Sequence, residues 1–257
     1  MTLSDLELER YSRQLVLPEW SGAAQARLRT ANALVVGVGA LGSPVATYLA
    51  AAGVGTVGLV DSGTVELSNL HRQPLHFTPD LDKPKTATAA LKLRVLNPEV
   101  QVEEYNAHLS EENADAVVAG ASIVVDCSDS FETRYLVNDA CCAQGVPLVS
   151  GAVLGFGGQV MTIVPGRSAC YRCAFETPPP RGSVPSCRDA GVLGAMAGVV
   201  GSVQALEALK LLAGVGRPLL DRILHIDGLT MEQTLVATER RDGCPACARV
   251  PAAPQSV

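Results

Sequence analysis

The segment "ALVVGVGALGSPVATYLAAAGVGTVGLVD", residues 33–61, leaves a chain little choice of fold. An apolar run ends at Val36, glycines follow at Gly37, Gly39 and Gly42, and an alanine-rich helical stretch continues to Ala52. A second apolar run, Val57 to Val60, stops at Asp61. Short continuous apolar runs joined by a helix are strands buried on both faces, which is the mark of a parallel sheet with helical layers. The glycines allow a tight strand-to-helix turn, where phosphate oxygens can approach backbone N–H groups at a helix N-terminus. Asp61 stands where an acid commonly holds a ribose hydroxyl. The pattern alone points to a nucleotide without separating NAD from ATP, and a turn needed only for packing is the competing reading.

The alternation continues. "PKTATAALKLRVLN" reads as a helix with Pro near its start, "VQVEEYNA" as a strand, and "SEENADAVVAG" as a helix capped by Ser110. "ASIVVDCSD" is a buried strand, "SFETRYLVNDACCAQG" a helix closed by Gly145, and "VPLVSGA" another strand. After Gly151 the pattern changes to a hairpin strand, "GGQVMTIVPG", a Pro-rich irregular stretch, and a helix from Val192 to Ala213. "RILHIDGLTMEQTLVAT" then suggests two strands around a glycine turn. The expected fold is α/β: a doubly wound, Rossmann-like, mainly parallel sheet extended by antiparallel strands. A single domain of 1–257 is expected, with an N-terminal helical arm at 1–30, a βα core at 31–150 and the antiparallel extension at 151–257.

With 47% hydrophobic and 18% charged residues the chain is of the soluble globular kind. A net charge of −6 argues against nucleic acid, whose binders carry a basic face. The charged N-terminus lacks the layout of a secretory signal, and the bland run from Gly191 to Val203 reads as a core helix, not a membrane span. Cys170-x-x-Cys173 and Cys244-x-x-Cys247 are two chelating pairs about seventy residues apart. Four thiolates suit a closed, structural zinc site that would tie the C-terminal part of the chain to the Pro-rich stretch, with redox dithiols as the alternative. Reduced thiols suggest the cytoplasm. Cys187, beside Arg188, is a candidate reactive thiol or a bystander, while Cys127, Cys141 and Cys142 read as packed core thiols.

"DSGTVELSNLHRQPLHFTPDLDKPK", residues 61–85, is a long polar loop, and such loops are usually functional or disordered. Arg72 and Lys85 lie beyond the ribose-type acid, where a triphosphate would place further negative charge. Asp126 and Asp129 end the fourth strand on the ligand edge of a doubly wound sheet. Asp129 is the better placed for Mg²⁺, which takes one or two carboxylates plus phosphate oxygens, although a helix N-cap is an equal reading for either acid.

In order and spacing, "RYSRQ", "VGVGALGSP", "SNLHRQ", "DKPK", "DCSDS", "VSGA", "GGQV", both cysteine pairs and "SCRDAGV" resemble one family across nearly the whole chain. It is that of the molybdopterin-synthase and ThiS adenylyltransferases, relatives of ubiquitin-activating enzymes. The resemblance implies ATP-dependent activation of the C-terminal glycine carboxylate of a small ubiquitin-like sulfur carrier ending in Gly-Gly. An acyl-adenylate would form and pyrophosphate would leave. It implies nucleotide contacts at Gly37, Gly39, Ala40, Gly42, Asp61, Ser68, Asn69, Leu70, His71, Arg72, Gln73, Lys85, Asp129 and Ser130. Asn69, Arg72 and Lys85 would meet the phosphates, Asp129 would hold Mg²⁺, and Cys187 matches a reactive-cysteine position. Arg13 matches an arginine that reaches the opposite subunit's site, which implies a homodimer. Ala40 and Ser130 stand where many members carry Gly and Asn. No rhodanese-like extension follows Cys247, so a separate sulfur donor, a cysteine desulfurase or a rhodanese, is expected. Two alternatives stay open: a nicotinamide-dependent oxidoreductase and a carrier-binding module without catalysis. The carrier's pathway, whether molybdopterin, thiamin or tRNA thiolation, is not readable from one chain.

Overall fold

The computed structural model describes residues 3–180, 182–183 and 190–250. Three short helices, α1 (Asp5–Arg10), α2 (Ser12–Leu15) and α3 (Gly22–Thr30), precede the sheet. The core then runs β1 (Asn32–Val36), α4 (Gly42–Ala52), β2 (Thr56–Val60), α5 (Lys85–Leu96), β3 (Gln101–Tyr105), α6 (Ala114–Val118), β4 (Ile123–Asp126), α7 (Phe131–Gln144) and β5 (Leu148–Leu154). It continues through β6 (Gly157–Ile163), α8 (Tyr171–Ala174), α9 (Gly194–Ala213), β7 (Arg222–Asp227) and β8 (Gln233–Ala237). The strands form one sheet in the order β3-β2-β1-β4-β5-β6-β7-β8. Pairing is parallel from β3 to β5 and antiparallel from β5 to β8.

Strand periodicity explains why the apolar runs are continuous. Ala33 and Val35 point into a core shared with α3, α4, α5 and α9, while Leu34 and Val36 point into a second core shared with α6 and α7. Both faces of β1 are therefore covered, as its sequence requires. From β1 the chain winds outward to β2 and β3, then returns to start β4 on the other side. The crevice at this reversal, outside the carboxyl ends of β1 and β4, is where doubly wound sheets bind ligands.

α7 ends at Gly145, whose φ of 68° is the left-handed cap expected of it. Ser110 does not cap α6, because the helix begins three residues later than the pattern suggested, after Asn113. The Asn113 side chain instead accepts from the Ser110 N–H and donates to the His108 carbonyl, so a polar turn takes up the first residues. α9, at 20 residues with a mean hydropathy of 1.4, is long and apolar enough to cross a membrane by length and composition. Here it packs on α4 and across β5 and β6. Two buried polar groups, Gln204 and Glu207, point from it into the protein. Glu207 accepts from the Thr162 hydroxyl (2.7 Å) and the Leu219 N–H (2.6 Å).

The polar loop between β2 and α5 is better anchored than its sequence suggested. Buried Val65, Leu75 and His76 hold it to the body, and two single turns, Leu67–Asn69 and Thr78–Asp80, shape it. Its ends are stitched by Val65 N–H to Lys83 O (3.0 Å) and Lys85 N–H to Gly63 O (3.0 Å). A braced loop of this kind can hold side chains in fixed directions.

Candidate active site

The three glycines of the turn do three different jobs. Gly37 has φ +90°, and a Cβ there would lie 2.8 Å from the Cys127 carbonyl oxygen. At Gly42 a Cβ would stand 1.9 Å from the Gly37 carbonyl oxygen, so this glycine lets α4 seat against the turn. Gly39 is different: a Cβ would meet only the Gln73 amide nitrogen, at 3.5 Å. Among the described residues nothing requires a glycine at 39, and the space beside it stays open to the cleft.

Asp61 braces this turn. Its carboxylate accepts from Val38 N–H (2.8 Å) and Gly63 N–H (2.7 Å), with lone pairs left for ribose hydroxyls. His76 supports the same turn from behind, bonding to the Val38 carbonyl (2.9 Å) and to the Thr88 hydroxyl (2.8 Å). Burial lowers the pKa of its imidazole, partly offset by the Val38 carbonyl, so His76 is held neutral. A lone histidine carries no sequence signal for such a role.

A cleft of about 1320 Å³ opens over the turn. The half beside the glycine turn is lined by Gly37, Gly39, Ala40, Asp61, Arg72, Gln73, Lys85 and the residues from Cys127 to Arg134. The half-buried Arg72 donates to the Ser68 carbonyl (2.6 Å) and touches the His71 ring (3.0 Å), which fixes its direction. Lys85 opens α5, and its Nζ lies 3.5 Å from where a Gly63 Cβ would be. Among the described residues its ammonium has no ion-pair partner, so its charge remains available. Gln73 is 4% exposed, and its buried Oε1 has no hydrogen-bond partner, which costs free energy unless a ligand supplies one. Gly42, Ser68, Asn69, Leu70 and His71 do not line the cleft. Buried Asn69 accepts from the Glu66 N–H (3.2 Å) and shapes the loop instead. Arg13 is exposed on α2 and is likewise not among the lining residues.

At the end of β4 the two acids part company. Asp126 is fully buried, accepting from Ser128 and Ser150 and lying 3.9 Å from the Arg134 guanidinium. Ser130 is the N-cap of α7: its hydroxyl accepts from Thr133 N–H (3.1 Å). The capping position is thereby taken, which removes that role from Asp129. Asp129 is exposed, lines the cleft, and has no partner among the described residues.

The cleft extends past the glycine turn along β5, β6 and β7, lined by Leu154, Phe156, Gln159, His225 and Asp227. Sequence reasoning missed this half, and it missed buried Arg134, because both depend on which strands become neighbours.

On the opposite core, Cys170, Cys173, Cys244 and Cys247 come together with all four sulfurs within 4.8 Å of one another. The Cys170–Cys244 and Cys173–Cys247 separations are 3.5 Å, and Cys170–Cys173 is 3.8 Å. A tetrahedron with metal–sulfur bonds of about 2.3 Å has edges of about 3.8 Å, so the cluster fits four-coordinate zinc. The Arg241 N–H donates to Cys173 Sγ (3.4 Å), as a thiolate acceptor would favour. Cys127, Cys141 and Cys142 are buried, and burial pushes the Cys127 and Cys141 thiols up, so neither is a ready nucleophile. Cys187 lies outside the described residues.

Comparisons with known proteins place the chain in a family. A model described as the ThiF family matches residues 11–246. The chain is 48% identical over 250 residues to the Thermus thermophilus sulfur carrier protein adenylyltransferase, covering 95% of this chain and 92% of that protein. It is 45% identical over 247 residues to the Haloferax volcanii SAMP-activating enzyme E1, covering 96% and 91% respectively. It is also 48% identical to the Sus scrofa adenylyltransferase and sulfurtransferase MOCS3, of whose length it spans 55%. E. coli MccB in complex with MccA-N7isoASN shares the fold, with a TM-score of 0.85 and 24% identity over 93% of this chain and 75% of that one. The chain belongs to the ThiF family.

Proposed function

We propose that the chain is an ATP-dependent adenylyltransferase acting on the C-terminal glycine carboxylate of a small ubiquitin-like sulfur carrier. The observation that carries this reading is the convergence of Arg72, Lys85 and Asp129 on one cleft, around a glycine at 39 that the protein itself does not need. The names borne by the Thermus and Haloferax relatives point the same way.

The reaction brings two anions together. A carboxylate oxygen attacks the α-phosphorus of ATP, the bond to the β-phosphate oxygen breaks, and pyrophosphate leaves behind an acyl-adenylate. Arg72 and Lys85 offset the repulsion and the charge that grows on the leaving group, and each such preorganised donor contributes about 10²–10³ in rate. Gln73 presents an unpaired amide beside the Gly39 turn, and Asp61 accepts from the ribose. Mg²⁺ held by Asp129 would neutralise the departing pyrophosphate, which the unengaged carboxylate fits. The carrier's extended tail occupies the half of the cleft along β5, β6 and β7. A nicotinamide enzyme would leave Lys85 and the four cysteines without a task.

The four cysteines hold structural zinc, remote from the chemistry. Arg13 is exposed and absent from its own chain's cleft, which supports service to a partner subunit in a homodimer. Residues 1–257 act as one adenylation domain in a reducing, cytoplasmic compartment, and a separate sulfur donor completes the thiocarboxylate. ATP–pyrophosphate exchange tests the reading: exchange that needs both Mg²⁺ and a carrier ending in Gly-Gly is expected. Exchange indifferent to the carrier, or none with any carrier, contradicts it.

A further inference from the structure

Asp129 is directed by its neighbours. Its own carboxylate bonds to nothing among the described residues, yet the backbone on both sides is pinned. Before it, the Ser128 N–H and hydroxyl both donate to Asp126 Oδ1 (3.0 and 2.6 Å), and the Ser128 carbonyl accepts from Arg134 Nη2 (2.8 Å). After it, Ser130 is locked as the cap of α7. The N–H, hydroxyl and carbonyl of Ser128 are thus all engaged by charged partners, and the next side chain is left free to project into the cleft.

Behind this loop the network closes on buried groups. Asp126 Oδ2 accepts from Ser150 Oγ (3.1 Å), and the Asp126 carbonyl accepts from Gln204 Nε2 (2.7 Å). Asp126 and Gln204 are both 0% exposed, and Asp126 does not line the cleft. Gln204 reaches β4 from α9 only because residue 151 is glycine: a Cβ there would lie 2.2 Å from the Gln204 amide carbon. A buried acid beside a buried guanidinium is commonly no more stable than apolar packing of the same volume. Placement of the loop is the physical return for keeping it.

We infer that Asp126 and Gln204 are positioning residues that aim the Asp129 carboxylate at a divalent cation carried by the nucleotide. The inference rests on the adenylation reading and adds a buried support to it. Groups that orient a metal ligand typically change metal affinity when removed, even though they never touch the ion.

Manganese, as a paramagnetic stand-in for magnesium, gives a readout independent of turnover. Free Mn²⁺ is followed by electron paramagnetic resonance while it is titrated into protein holding a non-hydrolysable ATP analogue. Asp126→Asn and Gln204→Met are expected to weaken Mn²⁺ binding about tenfold, with affinity for the metal-free analogue changed by less than about twofold. Thermal unfolding verifies that each variant is folded. Should Asp126→Asn fail to fold, Ser150→Ala removes one donor to the same carboxylate and is expected to weaken Mn²⁺ binding about fivefold. Folded variants that bind Mn²⁺ like the wild type overturn the inference. So does an equal loss with and without metal, which would mark a general effect on the cleft. A wild-type protein that binds neither analogue nor Mn²⁺ overturns the adenylation reading, and this inference with it.

Discussion

Two single-methyl substitutions three residues apart should have opposite consequences. In Gly42→Ala the new Cβ would stand 1.9 Å from the Gly37 carbonyl oxygen, so α4 must back away from the turn. Overpacking of this kind costs about 1–3 kcal/mol, which lowers the melting temperature of a chain this size by about 2–12 °C. In Gly39→Ala the nearest atom is Gln73 Nε2 at 3.5 Å, an ordinary contact. Residue 39 is not in the left-handed region, so the ligand-free protein should melt within about 2 °C of the wild type. The same methyl fills the cradle. Loss of one hydrogen bond to a charged phosphate, about 1.5–3 kcal/mol, corresponds to roughly 10–150-fold weaker ATP binding. Circular-dichroism melts without ligand and calorimetric titration with ATP separate the two effects. A Gly39→Ala protein that melts several degrees low, or that binds ATP as the wild type does, refutes the assignment of Gly39 to the ligand.

Metal analysis of freshly purified, never-chelated protein should find one zinc per chain, and chelation should lower the melting temperature; protein without metal removes the zinc assignment. Arg13→Ala and Lys85→Ala, each strongly impaired alone, should recover part of the exchange activity when combined in verified heterodimers; no recovery contradicts a shared site. The His76 imidazole is kept neutral by burial, so below about pH 6.5 the unfolded chain takes up a proton that the folded protein resists. Stability is therefore full above that pH and declines as pH falls. The melting-temperature gap between wild type and His76→Gln should narrow from pH 7.5 to 5.5, and a constant gap would refute it.

Most of the parallel core was legible because burial on both faces writes continuous apolar runs, and the turn glycines mark where strand passes to helix. The cysteine pairs were legible because chelation demands short local spacing. Other features depend on contacts distant in sequence. Position favours Asp129 over Asp126 for a ligand but leaves a helix N-cap as an equal reading for either; Ser130 capping α7, with Asp126 buried beside Ser150 and Arg134, removes that reading. The resemblance implies a phosphate contact for Asn69, yet its side-chain oxygen accepts from the Glu66 N–H and the residue does not line the cleft. His76, Arg134 and Gln204 gave no local pattern, since each acts across the gap between two elements. The late start of α6 reflects an ambiguity of another kind, in which Ser110 and Asn113 compete to shape the same turn.

The central claim is that the cations of the β2–α5 loop let a carboxylate approach the α-phosphate. Carrier-dependent ATP–pyrophosphate exchange by Lys85→Ala measures it most directly. The account predicts a rate lower by about 10²–10³, with the folded state intact. Exchange at the wild-type rate would contradict it.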